Sequence, residues 1–330
     1  MRGLRNKNKR DIFFKWCKRQ RADLIFLQET YWTSEIEPII NSEWKGKVFY
    51  SHGSNRARGV AILVKENADI SVNGTCADSS GRLLLLKSAK SNVNYCLINL
   101  YAPTEKKYKD AFFKKLQKQI VDAKKENAEY SFILGGDWNC VLDPRKDTKG
   151  SKSCYYRTPK RLKDLITRQN FVDVWRKLHK HEQQFTWRNL CLKIASRLDF
   201  WIISKDMMAK VVSTDIRPVL KGDHNAISLK LRLSDLSKGP GYWKLNTSLL
   251  TDENFKQEIK AIIEKCKNIN EASEVMKWET LKIKCREFAQ KYGKRKCHAD
   301  ERKVSLERNL TNLERQLDKQ NCDKGMNIYE

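Results

Sequence analysis

Short apolar runs that end abruptly in polar residues are the feature that most constrains the fold of this chain. Clusters of glycine, serine and asparagine separate the runs, as is typical of β-strands joined by turns. The runs are ADLIFLQET (22–30), GVAILVKE (59–66), GRLLLLKS (81–88), VNYCLINLYAP (93–103), FILGGDWN (132–139), FTWRN (185–189), SRLDFWIIS (196–204) and NAISLKLRL (225–233). This pattern predicts a domain built on several buried strands.

Stretches with the apolar spacing of amphipathic helices lie between these runs. The spacing predicts helices over 8–20, 105–124 and 158–178. Strands and helices in this mixed order predict an α/β layered domain that extends over residues 1–235.

The chain changes character after residue 235. Glycine and proline in SKGPGYWKLN (237–246) predict a linker, which we place at 236–250. Beyond it, Phe255, Ile259, Ile262 and Cys266 follow helical spacing, and so do the leucines at 306, 310, 313 and 317. Residues 251–330 are therefore expected to form an α-helical, charged tail.

Positive charge dominates the composition. Lys and Arg number 66 against 40 Asp and Glu, which gives a net charge of +26. Such an excess favours a polyanionic partner, nucleic acid before an anionic membrane surface, although a generally lysine-rich composition gives the same charge. Apolar residues make up 40% of the chain, which is enough for a packed core and argues against wholesale disorder.

The sequence also bears on location. It contains no run of about 18 apolar residues and no apolar stretch of a signal peptide, so we expect neither a membrane span nor secretion. The 10 cysteines are scattered without a Cys-x-x-Cys pair, which favours free thiols in a reducing compartment. A nuclear or cytoplasmic location is therefore expected.

Polar residues of a restricted kind stand at or beside the ends of the apolar runs. They are Glu29, Tyr101, Asp137, Asn139, Asp199, Asp223 and His224. Each alone is more often a loop residue, a turn or a local hydrogen bond. Together they predict a site, because strand ends bring residues that are distant in sequence into one crevice. The two glycines before Asp137 are interpreted as a tight turn out of the strand.

These residue types suit the hydrolysis of a phosphodiester, which needs a divalent cation, an activated water and neutralisation of charge on the phosphate. Glu29, with help from a second acid, can hold Mg²⁺, a cation that takes few carboxylates and keeps several waters. Asp137 can orient or deprotonate the water, and Asn139 can hold the water or a phosphate oxygen.

An imidazole and a phenol complete the expected set. His224, paired with either Asp199 or Asp223, would be oriented and kept cationic enough to face the phosphate. Tyr101 can donate a hydrogen bond to the same group.

The motifs LIFLQET, INLYAP, ILGGDWN, SRLDFWIIS and GDHNAISLKL, in this order, resemble those of the endonuclease/exonuclease/phosphatase superfamily. That superfamily includes the exonuclease III-type abasic-site endonucleases and DNase I. In addition, GLRNKNKR near the start and GYWKLNTSLL after the domain are similar to the endonuclease domains of non-LTR, LINE-like retrotransposons.

The resemblance implies a DNase I-like, four-layer α/β sandwich followed by the helical tail. It also implies cleavage of DNA that depends on Mg²⁺, with Mn²⁺ as the alternative ion. It implies that Glu29 and Asp223 bind the metal and that Tyr101 contacts the scissile phosphate. Asp137 and Asn139 would position the attacking water, and Asp199 would support His224 at the phosphate. Thr186 in FTW stands where the family often has a threonine near the phosphate.

Basic and aromatic residues extend the expected substrate surface. Arg56 and Arg58 are candidate substrate-binding residues, and the stretches 145–152 and 157–163 are rich in lysine and arginine. A groove that binds phosphates and inserts aromatic rings is one interpretation of the nearby aromatic residues Trp138, Tyr155, Tyr156 and Trp187. The other interpretation is that the tryptophans belong to the core. We expect this for Trp138, because it lies on the opposite side of the chain from Asp137 and Asn139.

Two departures from the family pattern leave alternatives open. The family usually opens with a strand that ends in a metal-holding asparagine before RGL, whereas here Met1 directly precedes Arg2-Gly3-Leu4, so we expect that strand to be missing. The acidic motif of a reverse transcriptase is also absent. The alternatives are a phosphatase or phospholipase of the same fold and a catalytically inactive DNA-binding remnant. The oligomeric state is left open.

Overall fold

A computed structural model describes residues 3–20, 22–150, 158–189, 194–219, 222–233, 243–269 and 273–326. The chain divides into a first unit, Met1–Asp235 with Asp318–Glu330, and a second unit, Leu236–Leu317. Tyr155, Tyr156 and parts of both basic stretches at 145–152 and 157–163 lie outside the described residues.

Strands dominate the first unit. They are β1 (Leu24–Gln28), β2 (Gly46–Ser51), β3 (Val60–Lys65), β4 (Ser71–Ala77), β5 (Leu83–Lys90), β6 (Val93–Tyr101), β7 (Ser131–Asp137), β8 (Thr148–Lys149), β9 (Phe171–Asp173), β10 (Trp187–Arg188), β11 (Ala195–Ser196), β12 (Asp199–Ser204), β13 (Val211–Arg217) and β14 (Ala226–Leu231). The helices of the chain are α1 (Lys7–Arg19), α2 (Glu37–Glu43), α3 (Lys106–Glu126), α4 (Pro144–Asp147), α5 (Lys160–Arg168), α6 (Val174–Leu178), α7 (Glu253–Lys267) and α8 (Glu274–Met326).

Two sheets form the centre of the first unit. A six-stranded sheet has the order β4-β5-β6-β7-β12-β9, in which β6 and β7 are parallel and the other neighbouring strands are antiparallel. A three-stranded sheet has the order β1-β3-β2, and β13 pairs with β14. The short strands β10, β11 and β8 form a further small sheet.

Alternation along the strands builds the layers, because successive side chains of a strand point to opposite faces. Leu83 and Leu85 of β5 pack in one core with Phe113 of α3, whereas Leu84 and Leu86 pack in another with Ile62 of β3. A third core joins the outer face of the three-stranded sheet to α1 and α2. The order helix, sheet, sheet, helix confirms the predicted four-layer α/β sandwich.

Several predicted elements differ in extent from the observed ones. The single helix expected over 158–178 is instead α5, the edge strand β9 and α6. Asn170 has a left-handed φ of 54° after α5, and Asp173 begins α6 by accepting a hydrogen bond from the Arg176 amide. The strand expected at 22–30 ends at Gln28, because Glu29 has a φ of 55°.

The second unit is built from α7 and the part of α8 that ends at Leu317. Asp252 begins α7 by accepting hydrogen bonds from the amides of Asn254 and Phe255. Its small core consists of Leu249, Phe255 and Ala289, with Ile259, Phe288 and Tyr292 packed against them. Across the described parts of both units, we find no helix with the length and apolar character needed to cross a membrane.

Candidate active site

Three neighbouring strands place Tyr101, Asp137 and Asp199 in one row across the six-stranded sheet. Tyr101 pairs with Asp137 in the parallel β6–β7 ladder, and Asp137 pairs with Asp199 in the antiparallel β7–β12 ladder. Because paired residues on adjacent strands lie about 5 Å apart, the row brings residues up to 98 positions apart in sequence together at one edge of the sheet. The strand register therefore brings these three predicted residues together.

The two glycines before Asp137 lie inside β7, so their interpretation as a turn is wrong. A Cβ on Gly135 would lie 2.2 Å from the Trp201 ring. A Cβ on Gly136 would lie 2.0 Å from the carbonyl oxygen of Leu100, and Gly136 has a φ of 143°. Glycine is therefore needed for the close approach of neighbouring strands at the point where the row forms.

The turn after β7 fixes Asn139. Its amide donates to Oδ1 of Asp137 at 2.9 Å, and its side-chain Nδ2 donates to the carbonyl oxygen of Ala102 at 2.8 Å. Nζ of the buried Lys109, on α3, donates to the Asn139 carbonyl at 2.5 Å. Asn139 has a left-handed φ of 46°, which asparagine tolerates better than most residues. These bonds hold the turn in one conformation.

Trp138, between the two polar residues, is fully buried and stacks on Phe200 at 4.9 Å between ring centroids. Its Nε1 donates to the Phe200 carbonyl oxygen at 2.9 Å. The expectation that Trp138 belongs to the core is confirmed. Trp187 is half-buried and forms an isolated bridge with His224.

His224 is paired with Asp199, one of the two partners that the sequence left open. Its Nδ1 lies 2.8 Å from Oδ2 of Asp199. Burial lowers the pKa of the His224 imidazole, but the attraction of the Asp199 carboxylate outweighs burial and raises the pKa to about 9. The imidazole is therefore cationic at neutral pH, the form that stabilises an anion.

Asp137 lies beside this pair. One ligand atom each from Asp137, Asp199 and His224 lies within 4.8 Å of the others. Burial, together with the Asp199 charge, raises the pKa of the Asp137 carboxyl group. A negative charge at this position is therefore costly without a cation nearby, which is the environment of a carboxylate that takes up a proton or faces a metal.

Thr186 supports the start of β12. Its Oγ1 accepts hydrogen bonds from the amides of Leu198, at 2.9 Å, and Asp199, at 3.0 Å. The residue is fully buried, and its two bonds hold the backbone at Asp199.

Glu29 joins the row through Tyr101, whose hydroxyl donates to Oε1 of Glu29 at 2.6 Å. Burial and the Glu29 carboxylate raise the pKa of the Tyr101 phenol, so the hydroxyl keeps its proton. Among the described residues, neither Glu29 nor Asp223 belongs to the three-residue group with metal-ligand spacing. Asp223 lies next to His224, and its carbonyl oxygen accepts a hydrogen bond from the Arg188 amide at 3.3 Å.

Arg82 lies at the row and was not expected from the sequence. Its Nη1 donates to the Tyr101 carbonyl oxygen at 3.0 Å, and its guanidinium lies 5.1 Å from the Tyr101 ring centroid. Burial and repulsion from Arg58 lower the pKa of Arg82, while Asp137 is one of the charges that raise it. Two arginines thus lie close enough to repel one another beside the row.

The other predicted arginine, Arg56, is exposed in the loop before β3. Arg58 lies in the same loop with a φ of 65°, and its carbonyl oxygen accepts a hydrogen bond from the Tyr31 amide. Gly59 is bonded to the loop before Arg82 through the Gly81 carbonyl oxygen at 3.0 Å. Backbone bonds therefore hold the Arg58 and Arg82 loops together.

A buried ion network underlies the Asp199 end of the row. Arg197, fully buried, donates from Nε and Nη2 to the two oxygens of Asp147, each at 2.9 Å, and from Nη2 to Asp173 at 2.6 Å. Arg176 donates to Asp147 at 2.5 Å. Because Arg197 precedes Asp199 by two residues, the network fixes the backbone from which Asp199 projects.

Comparison with known proteins places these features in context. Residues 1–224 match the model of the Endonuclease/Exonuclease/phosphatase family. The chain is also 32% identical over 260 residues to the "Transposon TX1 uncharacterized 149 kDa protein" of Xenopus laevis. That match covers 78% of this chain and 20% of the relative, so the chain spans about a fifth of the relative's length.

Solved structures share the fold. One is the AP endonuclease LMAP from Leishmania major, with a TM-score of 0.58, 16% identity, and coverage of 69% of this chain and 84% of that one. Another is the 3′ phosphatase NExo from Neisseria bound to a product DNA hairpin, with a TM-score of 0.55, 16% identity, and coverage of 68% and 95%.

Proposed function

The chain belongs to the endonuclease/exonuclease/phosphatase family, and from this premise we propose that it is a metal-dependent endonuclease domain of retrotransposon origin that nicks DNA. The observation that carries the proposal is the row of Tyr101, Asp137 and Asp199 with His224 bonded to Asp199. This arrangement joins a carboxylate of raised pKa to a cationic imidazole within one crevice, which suits hydrolysis of a phosphodiester.

In this mechanism Asp137 orients the attacking water and accepts its proton, since the raised pKa brings the carboxyl group closer to neutral pH. The proposed role of Asn139 is to hold the same water or a phosphate oxygen. His224 faces a non-bridging oxygen of the phosphate as a cation, and Asp199 keeps its ring oriented through the 2.8 Å bond.

Tyr101 has a proposed role at the phosphate. Its hydroxyl keeps its proton because burial and Glu29 raise the phenol pKa, so it remains a hydrogen-bond donor. Arg82 and Arg58 supply positive charge at the same place, and an anion bound near both would relieve their repulsion.

The proposed ligands of Mg²⁺, with Mn²⁺ as the other possible ion, are Glu29 and Asp223. Their chemistry fits, because carboxylate oxygens are the ligands that a hard divalent cation takes, and Glu29 lies at the row through its bond with Tyr101. A bound divalent cation would neutralise charge that develops on the phosphate. Thr186 and the network of Arg197 hold the surrounding backbone in place without touching this set.

DNA is the proposed substrate because of the positive net charge of the chain and its similarity to a transposon protein. The net charge of +26 matches a polyanion, and two of its contributors, Arg58 and Arg82, lie at the row. The similarity to a transposon protein supports the retrotransposon origin. A phosphatase of small phosphoesters and an inactive remnant remain outcomes that the experiment distinguishes.

The test is nicking of supercoiled plasmid by the full chain with Mg²⁺ and with EDTA. The panel includes Asp137→Ala, His224→Ala and, as a matched carboxylate control, Asp122→Asn on the exposed face of α3. We expect the parent and the control to nick with Mg²⁺ only, and the two site variants to be slower by at least about 100-fold. Plasmid left intact while a phosphate monoester is hydrolysed would favour the phosphatase, and binding without any hydrolysis would favour the remnant.

A further inference from the structure

The second unit carries two exposed tryptophans, each next to a cation. Trp278 of α8 is 58% exposed, and Nζ of Lys282 lies 5.9 Å from its ring centroid. Trp243, before α7, is 41% exposed, and the guanidinium of Arg286 lies 5.6 Å from its ring centroid. We call these four residues the Trp–cation face. Large exposed aromatic rings are costly in water and commonly mark a binding surface.

Helical spacing makes the face continuous. Trp278, Lys282 and Arg286 follow one another at intervals of four, so they lie on one side of α8 over successive turns. Since Arg286 lies over the Trp243 ring, the line runs aromatic, cation, cation, aromatic. Lys282 is also paired with Glu279 at 2.7 Å, so the net charge of the line depends chiefly on Arg286.

A groove continues from the Trp243 end of the face. It has a volume of about 430 Å³, and Trp243, Lys244 and Lys294 are among the residues that line it. Its lining carries two lysines and no acidic residue, and Gly293 leaves open space where a Cβ would stand. The groove is of a size that accepts a small planar group, with one aromatic wall and positive charge at its rim.

We propose that the Trp–cation face binds single-stranded nucleic acid. Unpaired bases offer flat π-faces that stack on exposed indole rings, and phosphates between the bases pair with lysine and arginine. The N-terminal half of α8 supports the charge match, since residues 277–296 contain eight Lys or Arg and two Glu. A duplex hides the flat faces of its bases, so this face selects single strands. The face belongs to the second unit, whereas the proposed hydrolytic site belongs to the first.

The test measures fluorescence anisotropy of a labelled 12-nucleotide oligo-dT with the full chain in EDTA, which suppresses metal-dependent cleavage. The variants are Trp243→Ala, Trp278→Ala, Arg286→Gln and the conservative Trp243→Phe. The controls are Val275→Ala, an exposed apolar residue on α8, and Lys260→Gln, an exposed cation on α7. Circular dichroism of each variant verifies that the helices are retained.

Each tryptophan variant should weaken binding by about fivefold or more, because one stacked base is lost, and Trp243→Phe should recover most of that loss. Arg286→Gln should lower the slope of log affinity against log salt by about 0.7, the change for one phosphate of a single strand. The two controls should bind like the parent.

Three results would overturn the proposal. One is unchanged affinity in both tryptophan variants. Another is equal displacement of the oligonucleotide by unlabelled duplex or by polyphosphate, which has no bases to stack. The third is that the tryptophan variants abolish self-association of the chain and leave oligonucleotide affinity unaltered. Since the assay needs no hydrolysis, plasmid nicking by the same variants separates failure of this proposal from failure of the proposed endonuclease.

Discussion

Replacement of Arg197 by methionine should destabilise the first unit strongly. The side chain is fully buried and holds both oxygens of Asp147 at 2.9 Å and Asp173 at 2.6 Å. Methionine fills much of the same volume but has no donor, so two buried or nearly buried carboxylates lose their main cation. Breaking a buried ion pair by removing one partner typically costs about 3–5 kcal/mol.

The partners that Asp147 retains determine where the loss in free energy of unfolding falls within that range. After the substitution Asp147 keeps Arg176, at 2.5 Å, and the Asp143 amide, at 3.1 Å. Two of the four hydrogen bonds that the Asp147 carboxylate accepts therefore survive, and we expect a loss near the lower end, about 3 kcal/mol. Arg197→Lys keeps a charge but loses the bidentate contact, so its free energy of unfolding should lie between that of the parent and that of the methionine variant.

Urea unfolding followed by tryptophan fluorescence measures this loss, and Asp147→Asn completes a double-mutant cycle. The combined variant should lose less free energy of unfolding than the two single losses added together, because each removes the same interaction. The methionine variant should also nick DNA more slowly, since Asp199 lies two residues from the altered position. A loss below about 1 kcal/mol, or strict additivity in the cycle, would refute the reasoning about this network.

Three further results are expected. Tyr101→Phe removes the 2.6 Å bond to Glu29, so nicking should fall by about tenfold or more at saturating Mg²⁺ while the urea midpoint stays nearly constant; an unchanged rate would contradict the phosphate role. Lys109→Met removes the ammonium that donates to the Asn139 carbonyl and should lower the free energy of urea unfolding by about 1–3 kcal/mol, whereas stability equal to that of the parent would contradict the role of this bond. Arg197 and Arg176 outweigh burial and hold the pKa of Asp147 below its usual 3.8, so its stabilisation is complete above that value and is lost as the pH falls further. The free energy of unfolding measured at pH 7, 4 and 3 should therefore decline less in Asp147→Asn than in the parent, and equal declines would exclude this carboxylate as the cause.

The sequence predicts the layered fold because the strands that form its centre are continuous apolar runs. The central strands β3 and β7 bury nearly every residue and β5 and β6 bury most of theirs, so these strands stand out without knowledge of their partners. Edge strand β4 was missed, since most of its residues are exposed and it contains no apolar run. A strand of this kind is defined by its pairing with β5, which is not a local property of the sequence.

The candidate site likewise contains residues that the sequence indicates and residues that only the pairing of strands reveals. Asp137 and His224 stand out because they lie beside apolar runs within motifs that resemble those of the family. Arg82 gave no such signal: it becomes part of the site only because β5 pairs with β6 so that Arg82 lies opposite Tyr101.

Long-range contacts are the part that the sequence could not provide. The Arg197 side chain reaches Asp147 across 50 positions, and Gly136 is required by the Leu100 carbonyl of a neighbouring strand. In both cases the physical reason lies in the partner residue, and only the register of the strands identifies that partner.

The central claim, that Asp137 and His224 act in one hydrolytic site, is tested most directly by nicking rates in a double-mutant cycle. Asp137→Asn and His224→Gln should each slow Mg²⁺-dependent nicking by at least about 100-fold, since each removes a group that acts in the transition state. The double variant should be scarcely slower than the worse single variant, as is found for residues that work as a unit. Nicking at the parental rate in both single variants, with EDTA still abolishing it, would contradict the account.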